Sequence, residues 1–209
     1  VSAPPTAADI RDRAARAAFA GPLITNVLRG LISEAIVAAA LEPEWRWCSA
    51  DYSSWDFDRA DGVRLEVKQS AVRQTWASDS APPSKTSFDI AARKGRWEGA
   101  SWIEEPGRHA QIYVFALHGV GDETADHCDP AQWEFFVVRA SDLPQTQRIG
   151  TAALRLIAVP CRFPVLAEAV ADCAAKMCDA GPDNRTERFG GYYRLPVHMR
   201  GGRWKTRMR

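Results

Sequence analysis

"DGVRLEVKQSA", residues 61–71, is the stretch on which the fold turns. Val63, Leu65 and Val67 alternate with Arg64, Glu66 and Lys68, the period-two pattern of a strand buried on one face. The Asp61-Gly62 pair in front of it is a tight-turn signal, because glycine takes a positive φ at no steric cost. A hairpin is therefore predicted, with a first strand at 55–58 and a second at 63–69. The polar face of that second strand carries a carboxylate and an amine two residues apart, Glu66 and Lys68.

Upstream, "PLITNVLRGLISEAIVAAAL" predicts a helix from Pro22, an early helical position, to about Leu41. Its only charges are Arg29 and Glu34, and Glu34 falls on the stripe Val27, Leu31, Ala38, Leu41, where helical spacing predicts burial. A buried carboxylate without a partner costs several kcal/mol, so Glu34 implies a partner or a purpose. Downstream, residues 72–110 read as irregular, with a short helix, a strand near Phe88 and a basic aromatic loop at Arg93, Lys94, Arg96 and Trp97. "QIYVFALHG" (111–119) is apolar almost throughout, as a strand buried on both faces should be. "WEFFVVRA" (133–140) predicts another strand, and 164–177 a helix with Leu166, Val170 and Cys173 on one side. Helices and strands in this order predict an α/β domain around a mixed sheet.

The bulk composition narrows the classes. With 209 residues, 46% of them hydrophobic and 25% charged, the chain can bury one sizeable core and does not read as disordered. A formal net charge of +1 excludes a general polycation, so an anionic partner would meet local patches. One such patch is the end of the chain, with eight Lys/Arg between 185 and 209 against the single Glu187. Five cysteines without a CxxC pair fit reduced thiols, and no apolar run approaches the ~18–20 residues of a membrane span. The expectation is a cytoplasmic protein with a helical leader (1–21), a central domain (22–180) and a basic tail (181–209).

On the predicted hairpin, Asp56, Glu66 and Lys68 can share one face. Two carboxylates brought together repel unless a cation lies between them. Mg²⁺ suits such a place, since it takes oxygen ligands from one or two carboxylates and keeps several waters. Lys68 could then orient or help deprotonate a water. Taken alone, Glu66 and Lys68 would be a solvated ion pair; Asp56 and Glu34 shift the balance. "DHCD" (126–129) lacks the second ligand pair a zinc site needs, and His109 and His118 read as ordinary strand-end residues.

"SSWDFD", "RLEVKQS" and "GLISEAIVAAAL" together resemble the PD-(D/E)xK, or restriction-endonuclease-like, nuclease superfamily. The resemblance covers roughly residues 22–71; Trp55 stands where the motif's proline is usual. It implies a restriction-endonuclease-like α/β core, a mixed central sheet flanked by helices, and divalent-metal-dependent hydrolysis of phosphodiester bonds. By that resemblance Asp56, Glu66 and the Val67 carbonyl would hold Mg²⁺ or Mn²⁺, Lys68 would be the catalytic lysine, and Glu34 a helical glutamate that tunes the site. Asp58, two residues beyond Asp56, is the other candidate for the first acid. Gln69 or Gln74 would support the site, with Gln74 favoured. DNA is the implied partner, with a homodimer open and no membrane. Arg73, Arg93, Lys94, Arg96, Arg203 and Lys205 are the candidate nucleic-acid contacts, where cations would meet phosphates. "RLEVKQSA" and "YVFALH…QWEFFVV" also resemble a family of small bacterial proteins, which supports the fold and names no task. The competing expectation is a non-catalytic nucleic-acid- or protein-binding module on the same fold.

Overall fold

The alternation in residues 63–71 is realised as an eight-residue strand, β3 (Arg64–Ala71), with Leu65 and Val67 buried on one face and Glu66 and Lys68 half-buried on the other. The computed structural model describes residues 4–48, 53–76 and 82–179. Ahead of β3 come α1 (Ala7–Phe19), α2 (Asn26–Leu41), β1 (Trp45–Trp47) and β2 (Phe57–Arg59). After it come β4 (Ser87–Asp89), β5 (Arg96–Glu98), β6 (Ser101–Ile103), β7 (Ile112–His118), β8 (Trp133–Arg139), β9 (Arg148–Gly150), α3 (Thr151–Ile157) and α4 (Leu166–Asp179).

The main sheet runs β1-β2-β3-β7-β8 and is mixed: β3 and β7 are parallel, and the other pairs are antiparallel. The predicted hairpin is present, pairing Phe57 with Leu65 and Asp58 with Arg64 across a turn in which Gly62 has φ 87°. Asp61 belongs to that turn, accepting from Arg59 Nε (2.9 Å) and from the Val63 amide (3.3 Å). β7 is buried over its whole length, because each face meets a different core. Ile112, Val114 and Ala116 join Leu65, Val67, Phe135 and the α2 and α4 residues Val37, Leu41, Leu166 and Val170. Tyr113, Phe115 and Leu117 point the other way, among Phe88, Phe136, Ile149 and Leu154, beneath the β4–β9 ribbon and α3. Each large apolar side chain removed from water here contributes about 1.5–3 kcal/mol.

Several expectations need correction. α2 begins at Asn26 after Thr25, not at Pro22, whose carbonyl instead accepts the His127 amide at 2.8 Å. The stripe Val27, Leu31, Ala38, Leu41 is buried only at its C-terminal half: Val27 is 84% exposed and Leu31 40%. At the N-terminal half the helix turns Arg29 and Ser33 inward: Arg29 meets Gln69 at the end of β3, and the Ser33 hydroxyl donates to the Gly30 carbonyl within the helix. The basic loop at 93–97 continues into a hairpin, β5–β6, turning at Gly99 with φ 59°. β9 and α3 were not anticipated, since neither carries more than a short apolar signal. His118 ends β7 as expected and His109 precedes it, but both are buried. α1, inside the expected leader, is closed by a reciprocal Thr6–Asp9 cap and buries none of its residues.

A candidate active site at the open edge of strand β3

β2 is much shorter than β3, and the difference creates the site. Their ladder ends with the Asp56 amide donating to the Leu65 carbonyl at 3.0 Å. The next donor along the β3 edge, the Val67 amide, is met by a side chain instead: Asp56 Oδ2 accepts it at 2.6 Å. A residue's N–H and C=O leave a strand on the same side, so the Val67 carbonyl also faces this open edge beside Asp56. Trp55 is fixed just before it, with the Arg64 guanidinium 3.7 Å from the ring centroid.

Glu66 and Lys68 project from the neighbouring β3 positions and form an ion pair, with 16% and 23% of their side chains exposed. Behind them Glu34, from α2, accepts a hydrogen bond from Trp47 Nε1 at 3.1 Å. The three carboxylates feel one another. Burial, then Glu66 and Glu34, push the Asp56 carboxyl up to about 8, against the opposing pull of the Val67 amide and Lys68. Glu34 is likewise raised by burial, partly relieved by the Trp47 hydrogen bond. Asp56 is thus held largely protonated at neutral pH unless a cation relieves the crowding.

This donor set fits a hard divalent ion. Among the described residues no three His, Cys, Asp or Glu side chains form a group able to hold a metal. The fitting set is two carboxylates, Asp56 and Glu66, with the Val67 carbonyl: all oxygens, and few enough to leave places for water, as Mg²⁺ prefers.

The remaining expected residues separate. Asp58 does not join the cluster; it pairs with Arg46 on the outer side, with Asp58 Oδ1 2.9 Å from Arg46 Nε. Gln69 and Gln74 do not reach the carboxylates either. They surround Arg29, whose Nε donates to Gln69 Oε1 (2.7 Å) and Nη1 to Gln74 Oε1 (3.1 Å). Arg29 Nη2 donates to Asn26 Oδ1 at 2.8 Å, and Arg29 Nη1 to the Ile24 carbonyl at 3.4 Å. Arg93 pairs with Asp89, and Arg96 with Glu98 and Glu105, so both are matched by carboxylates. Lys94 is exposed, Arg73 is half-buried, and Arg203 and Lys205 lie outside the described residues.

Arg29 is the residue that sequence reasoning missed. It is 1% exposed, and burial lowers its guanidinium to about 10. The signal is in the sequence: Arg29 and Glu34 are the only charges between Pro22 and Leu41. A second buried polar group holds His118 and His127, ring centroids 4.7 Å apart beside Trp133. His127 Nδ1 accepts the Ile24 amide at 2.9 Å, and burial with neighbouring positive charge lowers its ring to about 4.

A mixed α/β fold with three carboxylates and a lysine gathered where two strands part is the class these observations define. No protein-family model matches the chain, and no curated protein matches it. Among solved structures it is similar to a bacterial homing endonuclease, I-Ssp6803I, at 16% identity and a TM-score of 0.39, over 73% of this chain and 97% of that one. So distant a likeness carries no argument about chemistry, which rests on the side chains themselves.

Proposed function

We propose that the chain is a divalent-metal-dependent nuclease of the PD-(D/E)xK type, hydrolysing phosphodiester bonds in DNA. The observation that carries this reading is the crowding of Asp56, Glu66 and Glu34 around the open β3 edge, with Lys68 as the cation within it. Asp56, Glu66 and the Val67 carbonyl would hold Mg²⁺ or Mn²⁺, which when bound supplies charge stabilisation at the phosphate under attack. Lys68, fixed by its pair with Glu66, orients the attacking water. Glu34, held by Trp47, maintains the negative field behind Asp56. In the reaction the water oxygen bonds to phosphorus, the ester P–O bond breaks, and the water's proton ends on the departing sugar oxygen.

Cleavage of supercoiled plasmid and of single-stranded DNA with Mg²⁺, Mn²⁺ or chelator tests this, with wild type beside Lys68→Ala. Metal-dependent cutting that disappears in the variant is expected. A variant that cuts as fast as wild type would remove Lys68 from the mechanism. One observation favours a second reading, a non-catalytic DNA-binding module: the Lys68 ammonium is already engaged by Glu66. Under that reading wild type binds DNA equally well in chelator and never cuts it.

A further inference from the structure

Around the edge of β3 from the carboxylates lies a cleft of about 370 Å³, lined on one side by the start of α2 and on the other by the segment leading into β4. Lys68, Lys85, Arg148 and Arg29 line it, with Ser87 and Asp89 between them. Its charge is uncompensated in a specific way. Asp89, the carboxylate on its wall, is drawn off by Arg93 at 2.7 Å. Arg148 is aimed by a neutral group: its Nε and Nη2 both donate to Ser87 Oγ, at 3.2 and 2.8 Å. Arg29 is likewise held by amide and carbonyl oxygens only. Among the described residues Lys85 makes no ion pair.

Gathering Lys85, Arg148 and Arg29 beside the paired Lys68 without counter-ions of their own among the described residues is unfavourable, and holding the two arginines through neutral acceptors leaves their charge available to a ligand. We propose that this cleft is a subsite for a DNA backbone phosphate next to the one presented to Lys68, gripped by Lys85 and Arg148. The inference rests on the reading that DNA is the substrate. Lys68 lines both the cleft and the small hollow around Glu66, so a strand crossing the β3 edge passes from one to the other. The side-chain oxygens of Asn26, Gln69 and Gln74 accept from Arg29, and the Gln69 and Gln74 amide nitrogens donate to Asn26 and to the Ala71 carbonyl, which leaves charge as the main means of meeting the ligand. The subsite therefore contributes affinity independent of sequence.

Binding, separated from cutting, tests it. Fluorescence anisotropy of two labelled duplexes of unrelated sequence is measured in chelator over a series of salt concentrations, for wild type and for Lys85→Gln/Arg148→Gln. Both residues are exposed, and thermal melting checks that the double variant is folded; Lys85→Gln alone, which has no ion pair to lose, is the second variant. The expected result is binding weakened about tenfold at low salt on both duplexes, with the slope of log K against log salt reduced by about 1. An unchanged slope, a loss on one duplex only, or wild-type protein that binds neither duplex would overturn the subsite. Cleavage is scored separately. Wild type that never cuts, while the variant still loses affinity and slope, defeats the nuclease reading and leaves the subsite standing. Unchanged binding beside intact metal-dependent cutting defeats the subsite alone.

Discussion

Replacing Asp56 with asparagine should make the protein more stable, and the size of the gain follows from the site. Asparagine keeps an oxygen to accept the Val67 amide, so the 2.6 Å hydrogen bond has a successor. What disappears is a carboxyl whose ionisation burial, Glu66 and Glu34 oppose, pushed up from 3.8 to about 8. At roughly 1.4 kcal/mol per pH unit, ionising that buried group costs at most about 6 kcal/mol. Lys68 favours the charged form and the site stands partly open to water, so about 2 kcal/mol is the expected gain, some 4–8 °C in Tm for a domain of this size. The sign with pH is fixed. Because the folded pKa is raised, the protonated group stabilises the fold below the unfolded value near 4, and that contribution is lost as pH rises through about 8. Wild type and Asp56→Asn should therefore melt alike near pH 4 and diverge to the full difference above pH 8, in chelator. Mn²⁺ should raise the wild-type Tm at pH 8 and leave the variant's unchanged. A variant that melts below wild type at pH 8.5 in chelator would refute the idea that Asp56 sits in a repulsive cluster.

Three further outcomes are expected. Arg29→Met removes a guanidinium that satisfies four oxygens; stranding the Gln69 and Gln74 acceptors should cost about 3 kcal/mol, read as a lower urea midpoint. Asp58→Ala loses mainly the pair with Arg46, whose side chain is 75% exposed and solvent-screened, so its Tm should stay close to that of wild type. DNA cleavage by Asp58→Ala should persist, and its loss would move the first acid from Asp56 to Asp58. Gly95→Ala places a Cβ 2.2 Å from the Ile103 carbonyl and 2.8 Å from Trp102 Cζ2, which should spring the β5–β6 hairpin. Separation of Trp97 from Trp102, whose ring centroids lie 5.5 Å apart, should then change the tryptophan fluorescence.

The strand expected at 63–69, the Asp61-Gly62 turn, the apolar run at 111–119 and the helices expected at 22–41 and 164–177 were legible to within a few residues at their ends, because local periodicity records which face is buried. The gathering of Asp56, Glu66 and Lys68 was legible for the same reason: a hairpin of known register fixes which side chains are neighbours. The three-residue segment 148–150 was not, since β9 exists only by pairing with β4 some sixty residues earlier in the chain. Nor did the helical pattern reveal how α2 is rotated. Val27 and Leu31 suit a buried stripe by composition, but Arg29 lies inward because Gln69, Gln74 and Asn26 are there to satisfy its donors, and that supply of partners is a property of the folded end of β3.

By itself, then, the sequence determined the strands, the turn and which residues face one another across a hairpin, because those follow from backbone geometry over a few residues. Only the tertiary structure decided that Asp58 turns away to Arg46 while Asp56, the residue the sequence favours, meets the Val67 amide. It also decided that Glu34 adds its charge to theirs, and that Lys85 and Arg148 meet Lys68 across a cleft. Burial and unscreened charge act between side chains distant in the chain, and their strength is set by what else the fold has packed around them.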